Sequence, residues 1–151
     1  MTERSITHST FTVSRTYDAT PARVFAAFAN KDQKAKWFTA PGDTGPVTWD
    51  FDFREGGHEH NSGQWDGGPT HSFDADYLDI IENERIVYSY VMHVDDNKLS
   101  ASLATIELAS AEGGTLLTVT ELGAYFDGLD SATSREQGTG YLLDALGASL
   151  D

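Results

Sequence analysis

The feature that most constrains this chain is its final stretch, residues 131–151, which reads SATSREQGTGYLLDALGASLD. At 100° per residue, one narrow arc of a helix would hold Thr139, Leu142, Leu143, Leu146 and Leu150. Either Asp130 or Ser131 can accept the free amide protons of the first turn. The sequence therefore predicts an amphipathic C-terminal helix with one buried stripe, lying across the rest of the fold.

Glycines interrupt this predicted helix at positions where a helix former would be expected. Gly138 and Gly140 lie inside the helix, and Gly140, Asp144 and Gly147 are assigned to the side away from the stripe. A glycine inside a helix costs about 1 kcal/mol relative to alanine. We therefore expect that another group approaches the helix closely at these glycines, or that space is left open there.

The first part of the chain predicts a strand followed by two short helices. Residues 1–10 are polar and without period, so we expect a flexible lead-in there. Apolar and polar residues alternate over 11–17, as in a half-buried strand. Thr20 can cap a helix that begins at Pro21, and a second helical piece is expected over 31–38.

The middle of the chain predicts a series of antiparallel strands. In the segment VTWDFDFRE, Val47, Trp49, Phe51 and Phe53 alternate with Asp50, Asp52 and Arg54. Further strands are expected over 58–65, 71–81, 85–94, 100–108 and 115–122, separated by short turns rich in Gly, Asp and Asn. Together with the terminal helix, this order predicts an α+β fold in which one long helix covers the apolar face of a sheet.

Composition restricts the possible partners of the chain. The 151 residues carry a formal net charge of −14 and no cysteine, and the pattern of a signal peptide or membrane-spanning helix is missing. Such a charge repels nucleic acid and anionic membranes, and the absence of cysteine excludes disulfides and thiolate metal sites. We expect a cytoplasmic protein that binds neither nucleic acid nor membranes.

Several segments, taken in order, resemble one protein superfamily. They are the run RTYDATPARVF from Arg15, the pair Trp37-Phe38, the turn DFREGG over 52–57, the segment YLDIIENERIVY over 77–88, and TLLTVT over 115–120. This chain resembles the SRPBCC (START/Bet v 1-like) superfamily and, within it, the AHSA1-like branch named for the activator of Hsp90 ATPase. The resemblance extends over nearly the whole chain, from Phe11 to Leu150, and predicts a single domain over 11–151.

The resemblance implies a helix-grip fold, in which a curved antiparallel sheet wraps around the C-terminal helix and two short helices close one end. It also implies a cavity between helix and sheet, where relatives hold hydrophobic molecules such as lipids, sterols or polyketides without a cofactor. Two departures make the implied cavity smaller-walled and more polar. Thr139 follows Gly138 where an aromatic residue is common, and residues 58–61 read His-Glu-His-Asn where large apolar residues are usual.

The polar segment at 58–61 contains the residues most suited to chemistry. His58 and His60 share one face of the predicted strand and are a weak candidate pair for a metal, with a third ligand required from His71 or His93. A polar outer edge is the alternative interpretation. If the two histidines face outward, Glu59 faces the cavity, where a desolvated carboxyl group can act as acid or base. On that side Asn61 can bind a ligand hydroxyl or carbonyl.

The ligand-binding prediction collects inward strand positions and the stripe of the helix. The predicted set is Trp37, Phe38, Trp49, Phe51, Phe53, Glu59, Asn61, Tyr77, Tyr88, Tyr90, Met92, Thr139, Leu142, Leu143 and Leu146. Glu121 is a weaker candidate. The stretch 123–130, with Tyr125, is either a lid over the cavity mouth or a plain connection with packed aromatic residues.

Three functions are consistent with these features. We favour a non-catalytic protein that binds a small, partly hydrophobic organic molecule of lipid or polyketide type. The first alternative is a protein-interaction module of the chaperone-activator type, which would use its acidic surface. The second is cyclase- or hydratase-like catalysis in the same cavity, with Glu59 as the base.

Overall fold

A computed structural model of the chain describes residues 4–38, 48–64 and 67–150. Seven antiparallel strands form one sheet in the order β1-β7-β6-β5-β4-β3-β2. The elements in chain order are β1 (Ile6–Tyr17), α1 (Pro21–Ala29), α2 (Lys31–Lys34), β2 (Thr48–Phe51), β3 (His58–Gln64), β4 (Thr70–Ile81), β5 (Arg85–Val94), β6 (Asn97–Ala111), β7 (Gly114–Phe126) and α3 (Ala132–Ser149). The predicted α+β helix-grip arrangement is confirmed.

Strand β1 begins earlier than the alternation predicts. Ile6 pairs with Phe126 at the far end of β7, and the Ser5 amide donates to the Asp127 carboxylate at 2.9 Å. The predicted lead-in over 1–10 is thus corrected, since its second half belongs to the sheet. The backbone pairing with β7 provides hydrogen bonds for a segment whose side chains show no apolar period.

The two short helices follow from local capping signals. The Thr20 hydroxyl accepts from the Arg23 amide, and Pro21 occupies the first turn, where its missing N–H costs nothing. The Asn30 side chain accepts from the Gln33 amide and so starts α2, which ends at Lys34, four residues before the predicted end.

The alternation around β2 is confirmed for the residues that the structure describes. Trp49 and Phe51 are half-buried, whereas Asp50 is exposed. Val47, and Trp65 at the predicted end of β3, lie outside the described residues. The hairpin from β2 to β3 is tight, because a Cβ on Gly57 would lie 2.1 Å from the carbonyl oxygen of Asp52. Only glycine fits at that position.

Two sides of helix α3 contact the sheet, one through its leucine side chains and the other through its glycines. The Ser131 hydroxyl accepts from the Ser134 amide and caps the helix, while Leu143 and Leu146 are buried as the stripe predicts. The helical projection predicts that Gly140 and Gly147 face away from the protein. This prediction is wrong for Gly140, which is buried, whereas Gly147 is half-buried.

Both glycines lie against β1. A Cβ on Gly140 would lie 3.1 Å from the Arg15 guanidinium, and one on Gly147 would lie 3.0 Å from the Tyr17 ring. The Tyr17 hydroxyl also donates to the Leu143 carbonyl at 2.7 Å. The glycines therefore allow α3 to lie close to β1, whereas Gly138 faces open space.

The predicted lid over 123–130 is wrong in its first half. Residues up to Phe126 continue β7, and only a short turn separates that strand from α3. Tyr125 is buried, and its ring lies over Gly123, where a Cβ would come within 2.7 Å of the Tyr125 hydroxyl. Within the described ranges, no helix is long and apolar enough to cross a membrane.

Candidate functional site

A cavity of about 340 Å³ lies between the inner face of the sheet and α3. Helix α3 contributes Gly138, Thr139, Leu142 and Leu143, and residues just after α2 contribute Trp37 and Phe38. The sheet contributes mostly aromatic and branched side chains: Phe53, Phe73, Tyr77, Ile86, Tyr88, Tyr90, Met92, Ile106 and Val119. A concave, mainly apolar space with a few polar groups has the composition of a small-molecule site.

The aromatic rings of this wall are in mutual contact. Phe73 lies with its ring centroid 5.0 Å from that of Tyr90 and 5.3 Å from that of Phe38. Tyr88 lies between Tyr77 and Tyr90, at 5.9 and 5.8 Å. Aromatic rings at these separations contribute favourable contacts to one another along the wall.

Glu59 is completely buried and fully engaged by neighbouring side chains. Its Oε1 accepts from the Lys34 amine at 2.8 Å and from the Tyr77 hydroxyl at 2.5 Å, and its Oε2 accepts from the Trp49 indole at 2.8 Å. As predicted from the strand period, His58 and His60 lie on the opposite face of β3. The carboxylate is not among the residues that line the cavity, which corrects that part of the prediction.

Lys34 neutralises Glu59 from the short helix α2. Its side chain is 7% exposed, and its amine lies 4.3 Å from the centroid of the Phe38 ring and 5.1 Å from that of Phe51. Burial lowers the pKa of this lysine, while the Glu59 carboxylate acts in the opposite direction. Three donors around Glu59 leave it poorly placed to take a proton from a substrate.

A second buried carboxylate, Glu121, lies on β7 and lines the cavity. Its Oε1 accepts from the Tyr90 hydroxyl at 2.8 Å, and its fully buried Oε2 lies 3.6 Å from the Arg135 guanidinium. Burial raises the pKa of Glu121, and the hydrogen bonds from Tyr90 and Ser102 and the positive charge of Arg135 offset part of this effect.

Arg135 reaches this cluster from the first turns of α3. Its guanidinium donates to the Tyr90 hydroxyl and to Ser100 Oγ, each at 2.8 Å, and to the Asp130 carboxylate at 2.7 Å. Arg135 therefore lies between two carboxyl groups, that of Asp130 at 2.7 Å and that of Glu121 at 3.6 Å.

The histidines of β3 are arranged as an outer polar surface. His58 Nδ1 lies 3.0 Å from the Asp76 carboxylate, and His60 Nδ1 lies 2.6 Å from that of Asp74, both across the strand pair to β4. In residues 4–38, 48–64 and 67–150, no group of three or more His, Asp or Glu side chains is placed to hold a metal ion. The weak metal prediction for this pair is therefore not supported by the geometry.

The comparison with protein families matches this architecture. Residues 18–151 match the model of the family described as Activator of Hsp90 ATPase homolog 1-like protein. The chain belongs to this AHSA1-like family. The resemblance drawn from the sequence motifs is thereby confirmed.

Solved structures of AHSA1-like shape share the fold over nearly the full length. A protein from Rhizobium loti is 47% identical, with a TM-score of 0.89, over 96% of this chain and 99% of that one. A protein from Rhizobium leguminosarum is 38% identical, with a TM-score of 0.92, over 99% of this chain and 98% of that one. A third, from Chromobacterium violaceum, is 28% identical, with a TM-score of 0.78, over 93% and 96%. No curated protein matches the chain.

Within this AHSA1-like fold, the predicted site residues fall into two groups. Those that line the cavity are Trp37, Phe38, Phe53, Asn61, Tyr77, Tyr88, Tyr90, Met92, Thr139, Leu142 and Leu143. Those that do not are Trp49, Phe51, Glu59 and Leu146. The Trp49 indole donates to Glu59, and the Phe51 ring lies beside the Lys34 amine. Leu146 is fully buried in the hydrophobic core.

Two charged lining residues were missed by sequence reasoning, Lys34 and Arg135. Arg135 precedes Thr139 by four residues and Leu142 by seven, so extending the stripe of α3 by one turn would have included it. Lys34 carries no comparable signal, since an isolated lysine in a polar helix is expected to be exposed.

Proposed function

We propose that this AHSA1-like protein binds a small, partly hydrophobic organic molecule, of lipid or polyketide type, between its sheet and α3. The single observation that supports this is the cavity of about 340 Å³, which is lined mainly by aromatic and aliphatic side chains. Each Å² of apolar ligand surface removed from water contributes about 25 cal/mol. Polar groups at the wall, among them Asn61 and Glu121, orient the ligand.

The size of the cavity favours a compact ligand. Its volume is near the lower end of the range of roughly 300–1,000 Å³ that is usual for small-molecule sites. A rigid aromatic or short-chain molecule also loses less conformational entropy on binding than a long acyl chain. We therefore expect fused-ring compounds to bind better than long fatty acids.

A fluorescent apolar probe tests this proposal directly. We expect N-phenylnaphthylamine to bind saturably, with enhanced fluorescence and with NMR shift changes at Leu142 and Tyr88, which both line the cavity. A Thr139→Phe substitution places a ring in the cavity and should weaken binding by about tenfold or more.

The matched control places the same ring on the exposed side of α3. Ala148→Phe lies on the solvent face of the helix and should leave probe affinity unchanged. Equal affinity of the wild type, Thr139→Phe and Ala148→Phe would show that the probe binds elsewhere, and the proposal would then fail.

A second candidate function is regulation of a chaperone. Its support is the description of the matching family, which names the activation of the Hsp90 ATPase, together with the net charge of −14. The test is the ATPase rate of a purified Hsp90 with and without the protein, at low and high salt. A salt-sensitive increase that Thr139→Phe retains would favour this role, and an unchanged rate would exclude it for that chaperone.

A further inference from the structure

One tyrosine of the cavity wall differs from its neighbours in the bonding of its hydroxyl group. The Tyr77 hydroxyl donates to Glu59, and the Tyr90 hydroxyl donates to Glu121. Tyr88 lies between these two rings and also lines the cavity. Within the described part of the chain, no residue forms a hydrogen bond with the Tyr88 hydroxyl, and this oxygen is not one of the fully buried atoms that lack a partner. It is therefore accessible and free to bond with a ligand.

The strand register explains why the Tyr88 hydroxyl has no protein partner. Tyr88 lies on β5, the central strand of the seven, and its direct neighbours across the sheet are Tyr77 on β4 and Ala104 on β6. Ala104 has no polar side-chain atom, and the Tyr77 hydroxyl is directed to Glu59. Tyr88 is nevertheless only half-buried. Because it lines the space between the sheet and α3, we assign this remaining exposure to the cavity.

The surroundings of Tyr88 keep its hydroxyl protonated. Burial raises the pKa of Tyr88, and the charges of Glu121 and Glu59 act in the same direction. A phenol that stays neutral retains its O–H donor, and it is more acidic than an alcohol and therefore the stronger donor. The wall thus offers a hydrogen bond to a ligand acceptor.

The charges of the wall favour an acceptor that is neutral. The lysine and the arginine that line the cavity each have a protein carboxylate beside them: Lys34 lies 2.8 Å from Glu59, and Arg135 lies 2.7 Å from Asp130. A ligand carboxylate would have to leave water for an apolar wall whose cations are already in ion pairs, which is costly. A carbonyl oxygen accepts the hydrogen bond without this cost.

We propose that the ligand of this cavity is a neutral, largely apolar molecule with a carbonyl group, such as a ketone or a quinone, whose oxygen accepts from the Tyr88 hydroxyl. This inference rests on the proposed function, because it names the chemistry of the molecule held in the same cavity. The hydrogen bond gives the Tyr88 hydroxyl its missing partner, while the apolar body contacts the rings of Phe73 and Tyr90.

A ligand series with one constant ring system tests this preference. The probes are naphthalenes that carry an ethyl, an acetyl, a hydroxyethyl or a carboxylate substituent, with affinities measured by isothermal titration calorimetry. For the wild-type protein, we expect the acetyl compound to bind about tenfold more tightly than the ethyl compound, because it gains one hydrogen bond at nearly constant size. The alcohol adds an O–H group that needs its own acceptor, and the carboxylate adds a desolvated charge, so both should bind more weakly than the ketone.

The Tyr88→Phe variant tests whether the preference arises at this hydroxyl. It should bind the ethyl and acetyl compounds within about twofold of each other, and its Tm should not fall, because the hydroxyl has no protein partner to lose. Tyr17→Phe is the matched control, since its hydroxyl donates to the Leu143 carbonyl at 2.7 Å within the core. This control should lower the Tm and keep the preference for the ketone.

A ¹³C label on the acetyl carbonyl reports the hydrogen bond itself. Its resonance should lie further downfield when bound to the wild type than when bound to Tyr88→Phe, because accepting a hydrogen bond deshields the carbonyl carbon.

The outcomes separate the two proposals. If none of the four compounds binds, the cavity is not a binding site and the proposed function fails. If the ethyl and acetyl compounds bind the wild type equally, the cavity binds apolar molecules but the carbonyl inference is overturned. An alcohol or carboxylate that binds most tightly would also overturn it, as would a ketone preference that persists in Tyr88→Phe. The wild-type series decides the question even if Tyr88→Phe does not fold.

Discussion

The ion pair between Lys34 and Glu59 offers a quantitative test of how α2 is held on the sheet. The two side chains are 7% and 0% exposed, and their charged atoms are 2.8 Å apart. At an effective dielectric constant of about 20, Coulomb's law gives an attraction of roughly 6 kcal/mol, most of which offsets desolvation of the two ions. Removing one partner leaves the other charge buried and unpaired, which typically costs about 3–5 kcal/mol.

We therefore expect Lys34→Met and Glu59→Gln each to lower the free energy of unfolding by about 3 kcal/mol or more. For a chain of this size, that corresponds to a fall in Tm of roughly 6–12 °C. The double variant removes both charges, and its Gln side chain can still accept from the Trp49 indole through its oxygen while its NH₂ group donates to the Tyr77 hydroxyl oxygen. It should be more stable than the sum of the single losses implies, by about 2 kcal/mol.

Urea unfolding of the four proteins measures this coupling energy, provided that the m-value stays constant. The matched control is the pair formed by Arg54 and Asp52, whose atoms are 2.9 Å apart but whose side chains are 66% and 52% exposed. Asp52→Asn should cost less than about 1 kcal/mol. The buried pair is not energetically coupled if Lys34→Met lowers the free energy of unfolding no more than the control does. The same conclusion follows if the losses of stability at Lys34 and Glu59 simply add.

Two further predictions concern glycines in α3 and in the β2–β3 hairpin, and His58 on the outer face of the sheet. Gly138→Ala should raise the free energy of unfolding by up to about 1 kcal/mol, because its Cβ meets open space. Gly57→Ala should destabilise the protein, because its Cβ would lie 2.1 Å from the Asp52 carbonyl oxygen. Denaturant titration of both variants checks this, and equal effects would contradict it. The hydrogen bond that the His58 imidazole donates to the Asp76 carboxylate raises the pKa of His58 above its ordinary value of 6.5. The stabilisation is therefore complete below pH 6.5 and is lost as the pH rises through the higher folded-state value. The Tm difference between the wild type and His58→Gln should accordingly be larger near about pH 6 than near about pH 8, and a difference independent of pH would refute this.

Strand periodicity predicted which residues share a face of the sheet, because each strand alternates with period two, but it left open which of the two faces is the inner one. Glu59 faces inward and His58 outward, as the alternation requires once one side is assigned. What the pattern does not contain is the partner of the inward carboxylate. Lys34 is 25 positions away in the chain, and the pair forms only because α2 docks over β3. That docking is a tertiary event which local sequence does not encode.

The helix shows a complementary limit of sequence analysis. Its leucine stripe correctly located Leu143 in the core, but it assigned Gly140 to the solvent side. A glycine has no side chain to report its burial, so hydrophobic periodicity cannot detect a helix face that packs through its backbone. Contact with Arg15 and Tyr17 of β1 covers this face, and it became visible only when the sheet was in place.

The two buried carboxylates on the inner face of the sheet, Glu59 and Glu121, each lie near a cation but differ in the hydrogen bonds that they accept. Each is met by a cation from a helix, Lys34 from α2 for Glu59 and Arg135 from α3 for Glu121. Both oxygens of Glu59 accept hydrogen bonds from three donors, whereas Glu121 accepts from Tyr90 at 2.8 Å and has its other oxygen buried 3.6 Å from Arg135. A carboxylate whose cation lies at hydrogen-bond distance loses more on substitution than one whose cation lies further away. Substitution of Glu59 should therefore lower the free energy of unfolding more than substitution of Glu121.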